Sequence, residues 1–141
     1  EFIAEPGRYF AESIVTIVSK IFGKKNRGKY YYYYISEGIY GCFNCKLHGE
    51  AIPKPQFISK KRIDTHQLHS STIFGPTCDS HDVILENIKM PELYIGDYIL
   101  WKNMGAYSIV ASTDFNGINE TKPMCIFIDK NKIYTHVNVL N

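Results

Sequence analysis

A mainly β domain entered through a single β–α unit is the fold class that this sequence predicts. Three observations carry it. Short runs of aromatic and β-branched residues recur between turn signals from Tyr30 to the end of the chain. One segment near the start, Tyr9 to Phe22, repeats its apolar residues at helical spacing. The chain also has 141 residues, 45% of them hydrophobic and 21% charged, which is one domain's worth of sequence with material for a core.

The elements follow in order. Phe2-Ile3-Ala4 reads as a short buried strand, and Pro6-Gly7 as the turn that ends it. Phe10, Ala11, Ile14, Val15, Val18, Ile21 and Phe22 share one helical face. Pro6 suits the entrance of such a helix, Gly23 its C-terminal stop, and Lys20, Lys24 and Lys25 the negative end of its dipole. The basic stretch "GKKNRGK" (Gly23 to Lys29) reads as a connection, which divides the chain into residues 1–28 and 29–141. Strand-like runs then follow at Tyr30 to Ile35, Gly38 to Lys46, Val83 to Leu85, Leu93 to Ile95, Tyr98 to Lys102, Ala106 to Ser112, Met124 to Ile128 and Ile133 to Val139. Glu37-Gly38, Gly96-Asp97, Asn103 to Gly105, Asn116-Gly117 and Asp129 to Asn131 punctuate them. Residues 53–69, with two prolines and the cluster "SKKR", read as an exposed loop. Many short strands at this spacing predict a β-barrel or sandwich.

Composition removes several function classes. A net charge of +2 gives no electrostatic footprint for nucleic acid or an anionic membrane. The longest apolar stretch, Ile14 to Val18, is far short of a membrane span. Four cysteines without an export signal read as reduced thiols in a cytosolic protein. The first five residues, "EFIAE", lack an initiator Met and read as a strand already under way, so a piece of a longer protein is expected.

Four motifs have chemistry to weigh. In "IAEPGRYF" (Ile3 to Phe10), a glycine turn opens a helix, and Arg8 places a positive charge in its first turn. That charge opposes the helix dipole and calls for an anion, such as a phosphate. A solvated strand–turn–helix is the bland alternative. The run "YYYYY" (Tyr30 to Tyr34) is either a base-stacking platform or a strand with aromatics on both faces; the balanced charge favours the strand. "CFNC" (Cys42 to Cys45) has metal-ligand spacing but lacks a second pair. On a strand its two thiols would also face opposite sides, so no metal site is expected. In "FGPTCDSHD" (Phe74 to Asp82), Asp79 is the wrong neighbour for a nucleophilic thiolate, because a negative charge raises a thiol's pKa. Cys78 reads instead as a proton donor or an inert thiol, and Asp79 as a partner for a cation.

Taken in order, "IAEPGRYF", "YYISEGIYGCFNC", "STIFGPTCDSHD", "PELYIGDYILWKNMGAYSIVAST" and "DFNG" resemble the C-terminal third of the eukaryotic ornithine decarboxylases. The resemblance covers roughly residues 2–128. It implies a fold of the alanine-racemase-like type: residues 1–28 as the last strand and helix of an otherwise absent (β/α)₈ barrel, and residues 29–141 as the C-terminal β-barrel domain. It implies pyridoxal 5′-phosphate as cofactor, conversion of L-ornithine to putrescine, and a homodimer with shared active sites. Glu5 matches the acid that pairs with the cofactor's ring nitrogen. Gly7, Arg8 and Tyr107 match the residues that hold its phosphate. Cys78 matches the catalytic thiol that directs protonation, Asp79 the carboxylate that holds the substrate's terminal ammonium, and Phe115 an aromatic that closes the substrate site. In the family, Cys78, Asp79 and Phe115 serve the partner subunit's pocket. The lysine that binds the cofactor lies upstream of "EPGR" in the family, so the 141 residues alone are expected to be inactive.

The sequence departs from the family pattern in one place. Where the family has Tyr-Asp-His-Ala after "FNCxL", this chain has His48-Gly49-Glu50-Ala51. A second carboxylate on the substrate's distal amine is thereby missing, with Glu50 next door. Two alternatives therefore stand beside an ornithine decarboxylase: a non-catalytic regulator of the antizyme-inhibitor type, and a decarboxylase of another diamino acid. In some protozoan members the domain is fused to S-adenosylmethionine decarboxylase, and the richness in Asn, Lys, Ile and Tyr is compatible with such an origin.

Overall fold

The computed structural model describes residues 1–50, 52–61, 63–118, 125–129 and 132–136. It is mainly β. A short helix α1 (Arg8–Ala11) runs into a single 3₁₀ turn, Glu12–Ile14, and then into β1 (Ile17–Arg27). The remaining strands are β2 (Tyr30–Ile35), β3 (Gln56–Ile58), β4 (Leu68–Phe74), β5 (Val83–Pro91), β6 (Tyr98–Trp101), β7 (Cys125–Asp129) and β8 (Lys132–His136). The first six strands form one sheet in the order β3-β6-β1-β2-β4-β5, and β7 pairs with β8. All neighbours are antiparallel except β2 and β4. No helix among the described residues is long and apolar enough to cross a membrane.

The amphipathic helix expected over residues 10–22 is not formed beyond Ala11: from Ile17 the chain is strand. Of the seven residues on that expected helical face only Ile21 is buried, and β-branching favours the strand. Ile14, Val15, Thr16, Ile17 and Val18 are five β-branched residues in succession, which crowd a helix and suit a pleated sheet. Ile17, Ser19 and Ile21 point into the core, while Val18, Lys20 and Phe22 point out. Gly23 caps no helix. It pairs with Tyr34 across a bulge, and a Cβ there would lie 3.1 Å from the Tyr34 ring. The basic stretch 23–29 is the paired end of a hairpin turned at Gly28 (φ 62°). The division expected after residue 28 thus falls inside a hairpin, and β1 belongs to the same sheet as β2.

Other expectations also shift. Phe2-Ile3-Ala4 is exposed and forms no strand. Gly38 to Lys46 folds as successive turns running into the 3₁₀ turn Asn44–His48. The loop expected at 53–69 contains β3, and β4 was not anticipated. Leu93 to Ile95 and Ala106 to Ser112 are irregular. Of the expected last hairpin, Met124, Lys130-Asn131 and residues 137–139 lie outside the described residues.

The tyrosine run obeys the strand period. Tyr31 and Tyr33 face the core and stack at 6.3 Å, while Tyr32 and Tyr34 contact Phe74 on the other face. The core joins Ile21, Tyr33, Ile35, Phe43, Ile73, Met90, Leu93, Ile99 and Trp101. Two of its polar side chains are paired: the Trp101 indole N–H donates to Ser19 Oγ at 2.9 Å, and Tyr33 Oη accepts from the Leu93 amide at 3.1 Å.

Candidate functional site

Two side-chain clusters are brought together, and one irregular segment, residues 102–118, contributes to both. Its first part is pressed against the turn after α1. The Met104 amide donates to the Val15 carbonyl at 3.0 Å and the Gly105 amide to the Glu12 carbonyl at 2.9 Å. A Cβ at Gly105 would lie 1.8 Å from the Ala11 carbonyl oxygen, so only glycine permits this approach. Tyr107 follows in the left-handed region (φ 55°). Its ring lies under Arg8, with the guanidinium carbon 5.2 Å from the ring centroid. A Cβ at Gly7 would meet the Tyr107 hydroxyl at 3.5 Å. Gly7, Arg8 and Tyr107 thus form one cluster.

Arg8 is not idle there. Its Nη2 donates to Glu50, and its Nη1 lies 3.9 Å from Glu12. The hydrogen bond that Arg8 donates to Glu50 pushes the guanidinium's pKa up from its ordinary value. Glu5 is exposed and has no partner among the described residues, none of which joins it to the cluster.

The second cluster forms around Asp79. One of its carboxylate oxygens accepts from the Tyr40 hydroxyl; the other accepts from the His81 amide at 2.9 Å and lies 3.0 Å from His81 Nδ1. The His81 amide, then the Tyr40 phenol, hold this carboxyl down at about 2. The same bond pushes the Tyr40 phenol up, so both partners favour a neutral phenol donating to a charged carboxylate. Tyr40 also stacks on Phe115, with ring centroids 4.0 Å apart. Cys78 is exposed, and the Asn116 side-chain amide donates to its sulfur at 3.2 Å. Cys78, Asp79 and Phe115, expected to act together, therefore share one neighbourhood. A small cleft beside them is lined by Tyr40, Gly41, Pro76, Thr77, Thr113 and Phe115.

Local folding explains why this loop holds its shape. Asp82 is buried and accepts from the Ile39 amide (2.9 Å), the Thr77 amide (2.9 Å) and the Thr77 hydroxyl (2.7 Å). Gly38 and Gly75 give it room: a Cβ on either would come within 2.5 Å of its carboxylate. Asn116 and Gly117 both take left-handed backbone, the conformation that Asn and Gly tolerate best. That turn sets Phe115 on Tyr40 and Asn116 on Cys78. Tyr40, Asn116 and Asp82 were not singled out from the sequence. Only the Asn-Gly pair carried a signal, and it reported a turn rather than a contact.

The paired cysteines of "CFNC" do not lie on a strand; both are buried, Cys45 at the start of a 3₁₀ turn. Burial pushes the Cys42 thiol up to about 12, with Glu37 adding to the effect, and burial raises Cys45 as well. Protonated thiols are poor ligands and poor nucleophiles. Among the described residues no group of three or more His, Cys, Asp or Glu side chains converges on a possible metal position.

Comparison with known proteins gives this geometry its context. Residues 8–105 match the C-terminal sheet domain of the pyridoxal-dependent decarboxylases that act on ornithine, diaminopimelate and arginine. The chain belongs to this family. It is 39% identical over 133 residues to antizyme inhibitor 2 of Xenopus laevis, covering 86% of this chain and 29% of that protein. It is 40% identical over 126 residues to the ornithine decarboxylase of Cricetulus griseus, covering 82% and 28%. Among solved structures, the arginine decarboxylase of Paramecium bursaria Chlorella virus bound to agmatine superposes with a TM-score of 0.75 at 37% identity, covering 82% of this chain and 31% of that one. The chain thus spans less than a third of the relatives it matches.

The family is pyridoxal-dependent, and the first cluster fits the phosphate of that cofactor. A guanidinium lies over a phenol there, with the Gly7 backbone beside the phenol's hydroxyl, and both groups can donate to a phosphate.

Proposed function

We propose that this chain is the C-terminal part of a decarboxylase that converts L-ornithine to putrescine with pyridoxal 5′-phosphate. In this reading the Gly7–Arg8–Tyr107 cluster holds the cofactor's phosphate, and Glu5 faces its ring nitrogen. When bound, the cofactor supplies an electron sink for the pair of electrons left on carbon as CO₂ departs. The chain's own residues do the rest. Asp79 stays ionised and holds the substrate's terminal ammonium. Tyr40 and His81 fix the direction of that carboxylate, and Phe115, backed by Tyr40, excludes water from its flank. Cys78 delivers the proton to the carbon that lost CO₂, with the Asn116 amide on its sulfur fixing the thiol's position. The observation that carries the reading is the convergence of Cys78, Asp79 and Phe115 from two separate segments, held by Tyr40 and Asn116. We further propose a cytoplasmic homodimer in which this second cluster completes the partner's pocket.

Gly49 favours a second reading. It stands where the family places a substrate carboxylate, and the match to an antizyme inhibitor is as good as that to the decarboxylases. One assay separates the readings: CO₂ release by the complete protein from L-ornithine, L-lysine and L-arginine. Turnover of ornithine above the other two supports the proposal. Turnover of lysine or arginine instead moves the substrate, and no turnover with cofactor bound supports the regulator.

A further inference from the structure

Arg8 is expected to hold a phosphate, yet in this chain it holds Glu50. The contact is built by the backbone. The 3₁₀ turn Asn44–His48 ends on Gly49, whose φ of 76° lies in the left-handed region. The Gly49 amide donates to the Lys46 carbonyl at 3.0 Å and the Glu50 amide to the Cys45 carbonyl at 3.2 Å. This reversal directs Glu50 at Arg8, 42 residues away in sequence. Among the described residues no atom lies within 4 Å of a Cβ placed at Gly49, so the glycine is required by the turn and not by crowding from them.

We propose that Glu50 competes for the phosphate cradle: its carboxylate holds Arg8 until a phosphate monoester displaces it, and it thereby sets how tightly the cofactor is held. The inference rests on the cofactor reading of the Gly7–Arg8–Tyr107 cluster. Both terminal nitrogens of Arg8 face carboxylates, Nη2 that of Glu50 and Nη1 that of Glu12 at 3.9 Å. A phosphate approaching the same fork must therefore displace or share the Glu50 contact. It can do so because it brings more charge, about −1.5 to −2 near neutral pH, against one on the carboxylate. Once displaced, Glu50 remains an anion close to another anion, which weakens phosphate binding further. Both partners are partly exposed, at 38% and 30% of their side-chain surface, so water and salt limit the effect. The competitor arises from the His48-Gly49-Glu50 segment, the place where this chain departs from its family pattern.

The test is equilibrium titration of the complete protein, freed of cofactor, with pyridoxal 5′-phosphate and in parallel with pyridoxal, which lacks the phosphate. Bound cofactor is followed by its absorbance in wild type, Glu50→Gln and Glu12→Gln. Glu50→Gln keeps the size of the side chain and removes the charge. It should tighten pyridoxal 5′-phosphate about 1.5- to five-fold, leave pyridoxal unchanged, and lose part of its advantage at high salt. Glu12→Gln, acting from farther away, should give a smaller gain. Unchanged or weaker phosphate-ester binding by Glu50→Gln would overturn the proposal, as would equal gains from the two variants, which would reduce it to a general charge effect. Specific binding of pyridoxal 5′-phosphate by none of the three proteins would take down the cofactor reading and this inference with it.

Discussion

Asp79 keeps its charge because hydrogen bonds from the His81 amide and the Tyr40 hydroxyl reach it, and the phenol can be removed without touching the amide. Its folded pKa of about 2 lies below the ordinary value of 3.8. The charged form is thus favoured by folding; that contribution is present above pH 4 and is lost as pH falls towards 2. Tyr40→Phe removes the second-largest cause and leaves the largest, the His81 amide. The carboxyl should then titrate higher, part of the way back to its ordinary range, in an NMR pH titration; no movement would show that the phenol does not donate to it. Cys78 invites a different measurement. If it delivers the final proton, Cys78→Ala should still release CO₂ but protonate at the wrong carbon, leaving the amino group on the cofactor and freeing an aldehyde. Analysis of products by mass spectrometry reads that partition. An unchanged ratio of amine to aldehyde would reduce Cys78 to a packing residue.

At the scale of elements, the loop that carries Cys78 and Asp79 depends on a buried carboxylate, Asp82. Asp82 satisfies two backbone amides and one hydroxyl from the two segments that flank the cleft. Asp82→Ala strands those donors and should cost about 2–4 kcal/mol in equilibrium denaturation. It should also displace Tyr40 from Asp79, since Ile39 precedes Tyr40. A loss below about 0.5 kcal/mol would mean that water replaces the carboxylate without strain. The segment 102–118 shows the same dependence on close packing: Gly105 admits the Ala11 carbonyl, and this contact puts Tyr107 under Arg8.

At the scale of the whole molecule, the two clusters raise the question of which pocket each serves. Cys78 and Phe115 are exposed in the single chain, as a surface that completes a neighbour's site must be. Two inactive variants of the complete protein test this: one Cys78→Ala, the other lacking the upstream cofactor-binding lysine. Random exchange of subunits makes about half of all dimers mixed, each with one site that has both groups. Recovery should therefore approach about a quarter of wild-type activity, given the two-fold symmetry of such dimers. No recovery despite confirmed exchange would put Cys78 in its own subunit's site.

The sequence by itself determined the β class, the family and the identity of the candidate residues, because these depend on local chemistry and on motif order. The alternation at Tyr30–Ile35, the left-handed turns at Gly96, Asn103 and Asn116-Gly117, and the five ordered motifs are all properties of short stretches. Only the tertiary structure decided the rest. The β-branched run Ile14 to Val18 favours an extended chain locally, but β1 becomes a strand of this sheet only because β2 and β6 are there to pair with it. A parallel partner for β2 comes from β4, some 40 residues on, a separation over which no local propensity carries information. The Tyr40–Asp79, Asn116–Cys78 and Arg8–Glu50 contacts join residues 38–42 positions apart. Such contacts form because the folded backbone brings those atoms within hydrogen-bond reach, and no spacing in the linear chain records that.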